Sequence, residues 1–200
     1  KQIQCKKLYL KNDGIISAKN DRDDFFGGNK VRKLEFLLAD ALNQGAKTVI
    51  TFGCVGSNHA LATACCCKEL DLKCLLMLKA QPNSPTVRRN LLLDLYFGAK
   101  LYYFPTEELR EIGSKYKIFK QFEKDGMKPY VVQTGGSTPL GILGFVNAAF
   151  ELKKQIQDGL VIEPDYIYVP IGSGGTAVGL AIGLEAAGIK SKIIPVGIEP

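Results

Sequence analysis

Six short apolar runs alternate with amphipathic segments along most of the chain, and this alternation limits the possible folds more than any other feature. The predicted strands are 48–52, 74–78, 101–104, 130–133, 166–169 and 193–198. The predicted helices among them are 58–70, 86–97, 107–124, 138–157 and 177–187. Apolar strands separated by helices are typical of parallel sheets that are buried on both faces. The sequence therefore predicts an α/β protein with open parallel twisted sheets and flanking helices.

Composition narrows the classes of function. Of the 200 residues, 46% are hydrophobic and 23% are charged, which is ordinary for one or two globular domains. The 26 Lys and Arg are scattered, which predicts no nucleic-acid partner, and no apolar run reaches membrane-spanning length. With His59 as the single histidine and no C-x-x-C pair, we predict no metal site. The six cysteines then predict free thiols in a reducing cytoplasm.

Both ends of the chain have the features of an internal fragment. The first residue is not Met, and the last, Pro200, directly follows an apolar strand-like run. We therefore expect the natural protein to be longer. Near the N-terminus, short apolar pieces at 8–10 and 15–16 and an acidic cluster at 21–24 predict a hairpin that leads into the turn at Gly27.

The segment 27–35 reads G-G-N-K-V-R-K-L-E and combines two glycines with three cations. Helical spacing of apolar residues begins at Leu34 and ends at Gly45, so Lys30 lies just before a helix or in its first turn. Unpaired helix N–H groups and the neighbouring Arg32 and Lys33 disfavour a further positive charge there. We expect a lowered pKa at Lys30 and a nucleophilic amine suited to carbonyl condensation. A solvated basic helix start is the alternative.

Three loops at the carboxyl ends of predicted strands are rich in small residues, and ligands of doubly wound sheets bind at such loops. The loop 53–59 offers Ser57 as a helix N-cap, beside Asn58 and His59. The loop 134–139 carries two glycines before Pro139, with Thr138 or Ser137 as the cap. In the loop 172–176, a glycine run opens a helix and predicts an anion site for a phosphate.

A dinucleotide site is an alternative for the third loop. Gly172, Gly174 and Ala177 match G-x-G-x-x-A, and Glu199 ends the next predicted strand, where an acid would bind a ribose. This unit usually comes first in its domain, whereas five predicted strands come before the glycine loop here. It also assigns no role to Lys30 or to the Ser57 loop.

Four motifs together resemble the pyridoxal-phosphate enzymes of the 1-aminocyclopropane-1-carboxylate deaminase/D-cysteine desulfhydrase family. They are G-G-N-K-V-R-K-L-E at 27–35, G-S-N-H at 56–59, G-G-S-T-P-L-G at 135–141 and G-S-G-G-T at 172–176. The resemblance implies a two-domain tryptophan-synthase β-type fold, truncated here at its C-terminus. Residues 33–141 would form the small domain, with 1–32 and 142–200 as parts of the large one.

The resemblance also implies the roles of the site residues. Lys30 would hold pyridoxal 5'-phosphate as a Schiff base, and Lys30 and Ser57 are the predicted catalytic residues. The cofactor phosphate would bind near Lys33 in the glycine loop, which consists of Gly172, Ser173, Gly174, Gly175 and Thr176. Asn58 would meet the ring oxygen of the cofactor. Ser57, Asn58 and His59 would bind the carboxylate of the substrate.

The implied activity is that of a lyase on a small amino acid. D-Cysteine is the favoured substrate, giving pyruvate, ammonia and sulfide, because His59 follows Ser57-Asn58 here where the cyclopropane deaminases carry Gln. 1-Aminocyclopropane-1-carboxylate is the alternative substrate, and a non-catalytic phosphate- or dinucleotide-binding module is the alternative class. We further expect a cytoplasmic homodimer with no membrane or nucleic-acid partner.

Overall fold

The computed structural model describes residues 7–16 and 28–197, and this part of the chain contains six α-helices and six strands. The helices are α1 (Val31–Asn43), α2 (Asn58–Glu69), α3 (Pro85–Tyr96), α4 (Glu107–Asp125), α5 (Pro139–Gln157) and α6 (Gly175–Ala186). The strands are β1 (Thr48–Cys54), β2 (Lys73–Lys79), β3 (Lys100–Phe104), β4 (Tyr130–Val132), β5 (Tyr166–Ile171) and β6 (Lys192–Gly197). Each lies within about two residues of its predicted position.

All six strands pair in parallel, which confirms the predicted α/β architecture. Four of them form one sheet in the order β3–β2–β1–β4, and β5 and β6 form a second sheet. In the larger sheet, the β1–β2 register runs from Thr48 opposite Lys73 to Cys54 opposite Lys79. Because β1 also pairs with β4, the loops after these two strands leave the same edge of the sheet.

The larger sheet is apolar on both faces because successive side chains of a strand point to opposite sides. On one face Val49 and Leu76 pack in a core with α1 and α2. On the other face Ile50, Leu75 and Met77 form a second cluster, which Ile118 of α4 helps to cover. Each such side chain contributes about 1.5–3 kcal/mol when it is fully buried. This two-sided burial explains why the strands read as continuous apolar runs.

Glycines allow α1, α5 and α6 to approach each other at backbone distance. A Cβ atom on Gly144 of α5 would collide with the backbone carbonyl of Arg32 in α1. On α6, a Cβ atom on Gly179 would lie 2.5 Å from the Ile142 carbonyl oxygen, and one on Gly183 would lie 2.7 Å from Ala149 Cβ. These close contacts fix α1 and α6 relative to α5.

The predicted caps at the starts of α2 and α5 are confirmed, and glycines end two other helices. The Ser57 hydroxyl accepts a hydrogen bond from Ala60 N at the start of α2. Thr138, not Ser137, caps α5, and Pro139 occupies the first turn. Gly98 and Gly188 follow α3 and α6 with φ angles of 78° and 68°. Left-handed glycines of this kind end helices without steric cost.

The predicted N-terminal hairpin is wrong for the residues that are described. Neither apolar piece within 7–16 is a strand, and Asp13–Ile15 forms a 3-10 turn instead. Leu8 and Leu10 are 86% and 88% exposed, so they neither pair with a strand nor pack into a core. The Asn12 side chain accepts a hydrogen bond from Gly14 N, which favours a turn. Gly27, the cluster at 21–24 and Glu199 lie outside the described residues.

Within 7–16 and 28–197, no helix is long and apolar enough to cross a membrane. The division of the chain into domains at 33 and 141 stays a prediction.

Asp94 on α3 is a buried carboxylate whose presence weakens the fold. It is 1% exposed, and its Oδ1 has no hydrogen-bond partner. Burial raises the pKa of this carboxyl from 3.8 to about 7. As pH rises from about 4 to about 7, the unfolded chain releases this proton before the folded protein does, so folding stability falls. Above about pH 7 the decrease in folding stability has reached its full size, on the order of a few kcal/mol.

Asp94→Asn is therefore expected to stabilise the protein at pH 8 by a few kcal/mol, with an advantage that shrinks as pH falls toward 4. Denaturant unfolding across this pH range measures the difference from wild type. The exposed Asp165→Asn is the matched control, and its effect should be small at every pH. A constant advantage of Asp94→Asn across the range would contradict the assignment.

Candidate functional site

Two glycine-containing loops that are distant in sequence meet at the ends of the strands. The loop 133–138 follows β4, and the loop 172–174 joins β5 to α6. Ser137 Oγ and Ser173 Oγ share a hydrogen bond of 2.7 Å. A Cβ atom on Gly135 would collide with Ser173 Oγ, so glycine is needed for this approach. The second and third loops predicted from sequence therefore form one surface.

Lys33 ties this surface to the start of α1. Its side chain is 1% exposed, and Nζ donates hydrogen bonds to the Gly135 carbonyl oxygen at 3.0 Å and to Ser137 Oγ at 2.9 Å. A Cβ atom on Gly175 would lie only 2.7 Å from this Nζ. Burial, and secondly the positive charge of Lys30, lower the pKa of Lys33 to about 8. A buried amine with two fixed acceptors thus stands against the glycine loop.

Lys30 occupies the N-cap position of α1 and ends the 3-10 turn Gly28–Lys30. Its pKa lies below the ordinary value, as predicted, but the cause is different. Burial lowers the pKa of Lys30, rather than the neighbouring cations. Arg32 is bound by Asp13 at 2.9 Å and by Glu151 at 2.9 Å, so its charge is neutralised away from Lys30. The site therefore holds two lysines whose pKa values are lowered by burial.

The three polar residues of the loop after β1 differ in their exposure to solvent. Ser57 is half-buried, and its Oγ accepts from Ala60 N at 3.2 Å, which leaves the hydroxyl hydrogen available to a ligand. Asn58 is exposed. His59 is only 4% exposed. Of the three predicted carboxylate ligands, Ser57 and Asn58 can meet a ligand from solvent most directly.

His59 is held neutral in one tautomer. Its Nε2 lies 3.0 Å from Thr51 Oγ1, and the Thr51 hydroxyl donates its single hydrogen to the Val132 carbonyl. Nε2 must therefore be the donor to Thr51 in the neutral ring. Burial first, then the charges of Lys30 and Lys33, lower the pKa of His59 to about 3, and a hydrogen bond with the Gln133 backbone opposes this shift. His59 is therefore neutral and cannot supply a positive charge to a ligand.

The start of α6 offers free backbone donors. Helices α2 to α5 each begin with a Ser or Thr hydroxyl that accepts a backbone hydrogen bond, whereas α6 begins at Gly174 without a side-chain cap. Gly174 has a φ of 81°, and Gly172 and Ser173 are exposed. Uncapped N–H groups at a helix start bind anions. The loop 172–176 thus has the geometry that the sequence predicted for a phosphate site.

The residues fit pyridoxal phosphate in two respects. Because Gly175 has no Cβ atom, the Ser137 side chain and the cation of Lys33 can lie directly against the glycine loop, and free amides at the start of α6 border the same loop. A phosphate matches these donors. Lys30, with a lowered pKa, begins the helix that also carries Lys33, so an amine for an aldehyde lies close in the chain to a cation for the phosphate.

Sequence reasoning missed three contributors to this site: Thr51, Asn90 and Ser137 as a ligand of Lys33. Their roles depend on contacts across 8 to 104 positions of sequence. Of these residues, only Ser137 could have been identified from the sequence, because it lies in a loop that was predicted to bind a ligand.

Comparison with known proteins gives one family for the whole chain. The model of the pyridoxal-phosphate dependent enzyme family matches residues 1–200. A bifunctional D-cysteine desulfhydrase/1-aminocyclopropane-1-carboxylate deaminase, mitochondrial, from Arabidopsis thaliana is 41% identical over 186 residues, covering 86% of this chain and 46% of the relative. A D-cysteine desulfhydrase from Yersinia enterocolitica is 35% identical over 203 residues, covering 97% and 57%.

A solved structure agrees with these relatives. The crystal structure of an ACC deaminase homologue matches with a TM-score of 0.76 and 35% identity, over 91% of this chain and 55% of the other. The chain thus spans about half the length of the curated relatives and of the structure that it matches.

Proposed function

Because the chain belongs to the pyridoxal-phosphate dependent enzyme family, we propose that it forms the cofactor-holding part of a lyase that acts on a small amino acid. One observation carries the proposal. The buried amine of Lys33 is bonded to the loop 133–138 and lies against Gly175 at an uncapped helix start, one helical turn from Lys30. This arrangement suits a ligand with a phosphate at one end and an aldehyde at the other.

We propose that Lys30 holds the aldehyde through its amine. The backbone amides of 172–176 and the ammonium of Lys33 hold the phosphate, and Asn58 meets the ring oxygen. These assignments rest on the residues' burial and hydrogen bonding, together with the motif resemblance. The dinucleotide alternative receives no support from the family match, and it leaves the lowered pKa of Lys30 without a use.

When bound, pyridoxal phosphate supplies an electron sink for charge that develops at the α-carbon of an amino acid. The chain's own residues supply orientation and proton handling. The Ser57 hydroxyl and the N–H groups at the start of α2 bind the substrate carboxylate. Lys30, once its amine is free, is placed by α1 to take a proton as a base, because burial favours its neutral form.

D-Cysteine is our proposed substrate, with 1-aminocyclopropane-1-carboxylate as the alternative. Relatives named for each activity match the chain at similar identity. The G-S-N-H motif at 56–59 supports D-cysteine, because His59 stands where the cyclopropane deaminases carry Gln. We also propose a homodimer in the cytoplasm. Free buried thiols, such as those of Cys67 and Cys74, suit a reducing compartment.

A spectrum of the complete protein tests the proposal. Titration of pyridoxal phosphate into the purified protein should produce a visible absorption band that is absent from a mixture with free lysine at the same concentration. Binding of NAD, with no such band, would favour the dinucleotide alternative and overturn the proposed function.

A substrate panel tests the finer assignment. D-Cysteine should give the highest kcat/KM when it is compared with L-cysteine, D-serine and 1-aminocyclopropane-1-carboxylate by assay of the keto acid. Ser57→Ala should lower kcat/KM about tenfold for every accepted substrate, because each loses one hydrogen bond to its carboxylate. Ser84→Ala removes the equivalent cap of α3 at the same 3.2 Å and controls for the loss of a cap. Preferred release of 2-oxobutanoate would contradict the choice of D-cysteine.

A further inference from the structure

Asn90 is a fully buried polar residue that no sequence motif singles out. It lies on α3 with 0% exposure. Its Nδ2 donates to the Gly56 carbonyl oxygen at 2.9 Å and to Asn58 Oδ1 at 3.0 Å. Its Oδ1 accepts from Arg89 Nε and Nη2 at 3.3 and 3.2 Å. All of the amide's polar atoms are therefore bonded.

These bonds fix which way the Asn58 amide points. A backbone carbonyl can only accept, so the group of Asn90 that faces Gly56 must be its NH₂. The second hydrogen of this NH₂ then requires an acceptor, and Asn58 must turn its Oδ1 inward to Asn90. The NH₂ of Asn58 is left pointing outward on an exposed side chain. The network thus presents Asn58 as a donor and excludes the flipped amide.

Asn90 also holds the loop that carries Asn58. It binds the carbonyl of Gly56, while the Gln81 side chain accepts from Gly56 N at 3.3 Å. A Cβ atom on Gly56 would lie 2.9 Å from Val87 Cγ2, so the loop packs tightly on this part of the chain. Both polar groups of one residue in the loop are therefore held by side chains from 81–90.

We infer that Asn90 is a positioning residue that locks the outward NH₂ of Asn58 as a hydrogen-bond donor to an anionic oxygen of the cofactor. This inference rests on the proposed function, in which Asn58 meets the ring oxygen. Without Asn90, the Asn58 amide rotates freely and its acceptor faces the site for part of the time. The bound oxygen then loses a fixed donor, which weakens cofactor binding and changes the proton affinity of the bound chromophore.

The test uses a double-mutant cycle in the complete protein. Asn58→Ala should raise the Kd for pyridoxal phosphate about tenfold, the cost of one hydrogen bond to a charged group. Asn90→Ala should raise it by a smaller factor, because the Asn58 amide still donates for part of the time. Both should move the pH midpoint of the visible band in the same direction. The double variant should match Asn58→Ala, because Asn90 acts through Asn58. A double variant whose Kd rises by the product of the two single effects would overturn the inference.

Asn58→Asp tests the orientation while leaving Asn90 in place. An aspartate can still accept from Asn90, so the protein should unfold at the same temperature as wild type. Its outward atom is then an acceptor, and the Kd for pyridoxal phosphate should rise at least as far as in Asn58→Ala. Binding equal to wild type would mean that the outward group is not a donor, which would overturn the inference even if Asn90→Ala failed to fold.

Gln81→Ala is the control for loop rigidity. It removes a side chain that holds Gly56 but leaves the bond between Asn90 and Asn58 intact. The pH midpoint of the visible band should stay at the wild-type value, and a shift equal to that of Asn90→Ala would assign the effect to the loop and overturn the inference. Absence of any visible band in wild type would instead contradict the proposed function.

Discussion

Replacing Lys30 with alanine is expected to abolish turnover and the covalent attachment of pyridoxal phosphate. Lys30 is the amine at the start of α1, and burial lowers its pKa, so a larger fraction is the free base at neutral pH. A free base is the form that condenses with an aldehyde. Borohydride reduction of the wild-type holoprotein, followed by peptide mapping, should place the pyridoxyl group on Lys30. Lys30→Ala should carry no label, and its activity should fall to background.

Lys33 is the competing nucleophile, because its pKa is also low, at about 8. Its Nζ, however, donates to Gly135 and to Ser137. With a pKa of about 8, most of this amine is protonated at pH 7, and the ammonium form has no lone pair for attack. Lys33→Ala should therefore weaken binding of the cofactor phosphate but leave the label on Lys30.

Two further variants make the Lys30 assignment specific. Lys30→Arg keeps the positive charge near Lys33 but cannot form an imine, so it should be as inactive as Lys30→Ala. Lys47→Ala changes an exposed lysine beyond the far end of α1 and should retain labelling and activity. A label on Lys33, or turnover by Lys30→Arg, would contradict the assignment.

The helices and strands could be predicted from the sequence because the residue patterns that indicate them are local. The apolar strand β2 and the caps Ser57 and Thr138 depend on residues within a few positions of each other. The prediction of an N-terminal hairpin is wrong for the opposite reason. Strand formation at Leu8 and Leu10 requires a partner strand, and short apolar pieces cannot indicate whether one exists.

The loops of the candidate site could be predicted from the sequence, but the hydrogen bonds that connect them could not. The loop 172–176 and Lys30 could be identified from glycines and a helix start. That Lys33 would be buried and bound to Gly135 could not, since 102 positions separate the two residues. Likewise, burial rather than the charge of Arg32 lowers the pKa of Lys30, because Asp13 and Glu151 bind Arg32 in the folded protein. Burial and long-range ion pairs exist only after the chain has folded.

Gly175→Val is expected to weaken pyridoxal phosphate binding by about a hundredfold, because the added side chain must displace Ser137 and Lys33, which border the proposed phosphate site. A Cβ atom here would collide with the Ser137 hydroxyl and would lie 2.7 Å from Lys33 Nζ. Gly175 itself is buried at the start of α6. Valine must therefore move the cation and the loop that we propose to bind the phosphate. Equilibrium titration of the apoprotein, followed by absorbance, measures the change in Kd.

Gly174→Ala separates steric exclusion from backbone strain. Gly174 has a φ of 81°, which disfavours alanine, but a Cβ atom there would meet nothing within 4 Å. This variant should lose stability by about 1 kcal/mol and bind the cofactor far better than Gly175→Val. The double variant Gly175→Ala/Ser137→Ala lacks the hydroxyl that crowds the new methyl group. Its affinity for pyridoxal phosphate should therefore be higher than that of Gly175→Ala alone. Equal Kd values for wild type and Gly175→Val would mean that the phosphate binds elsewhere, because a valine side chain cannot fit here without moving Ser137 and Lys33.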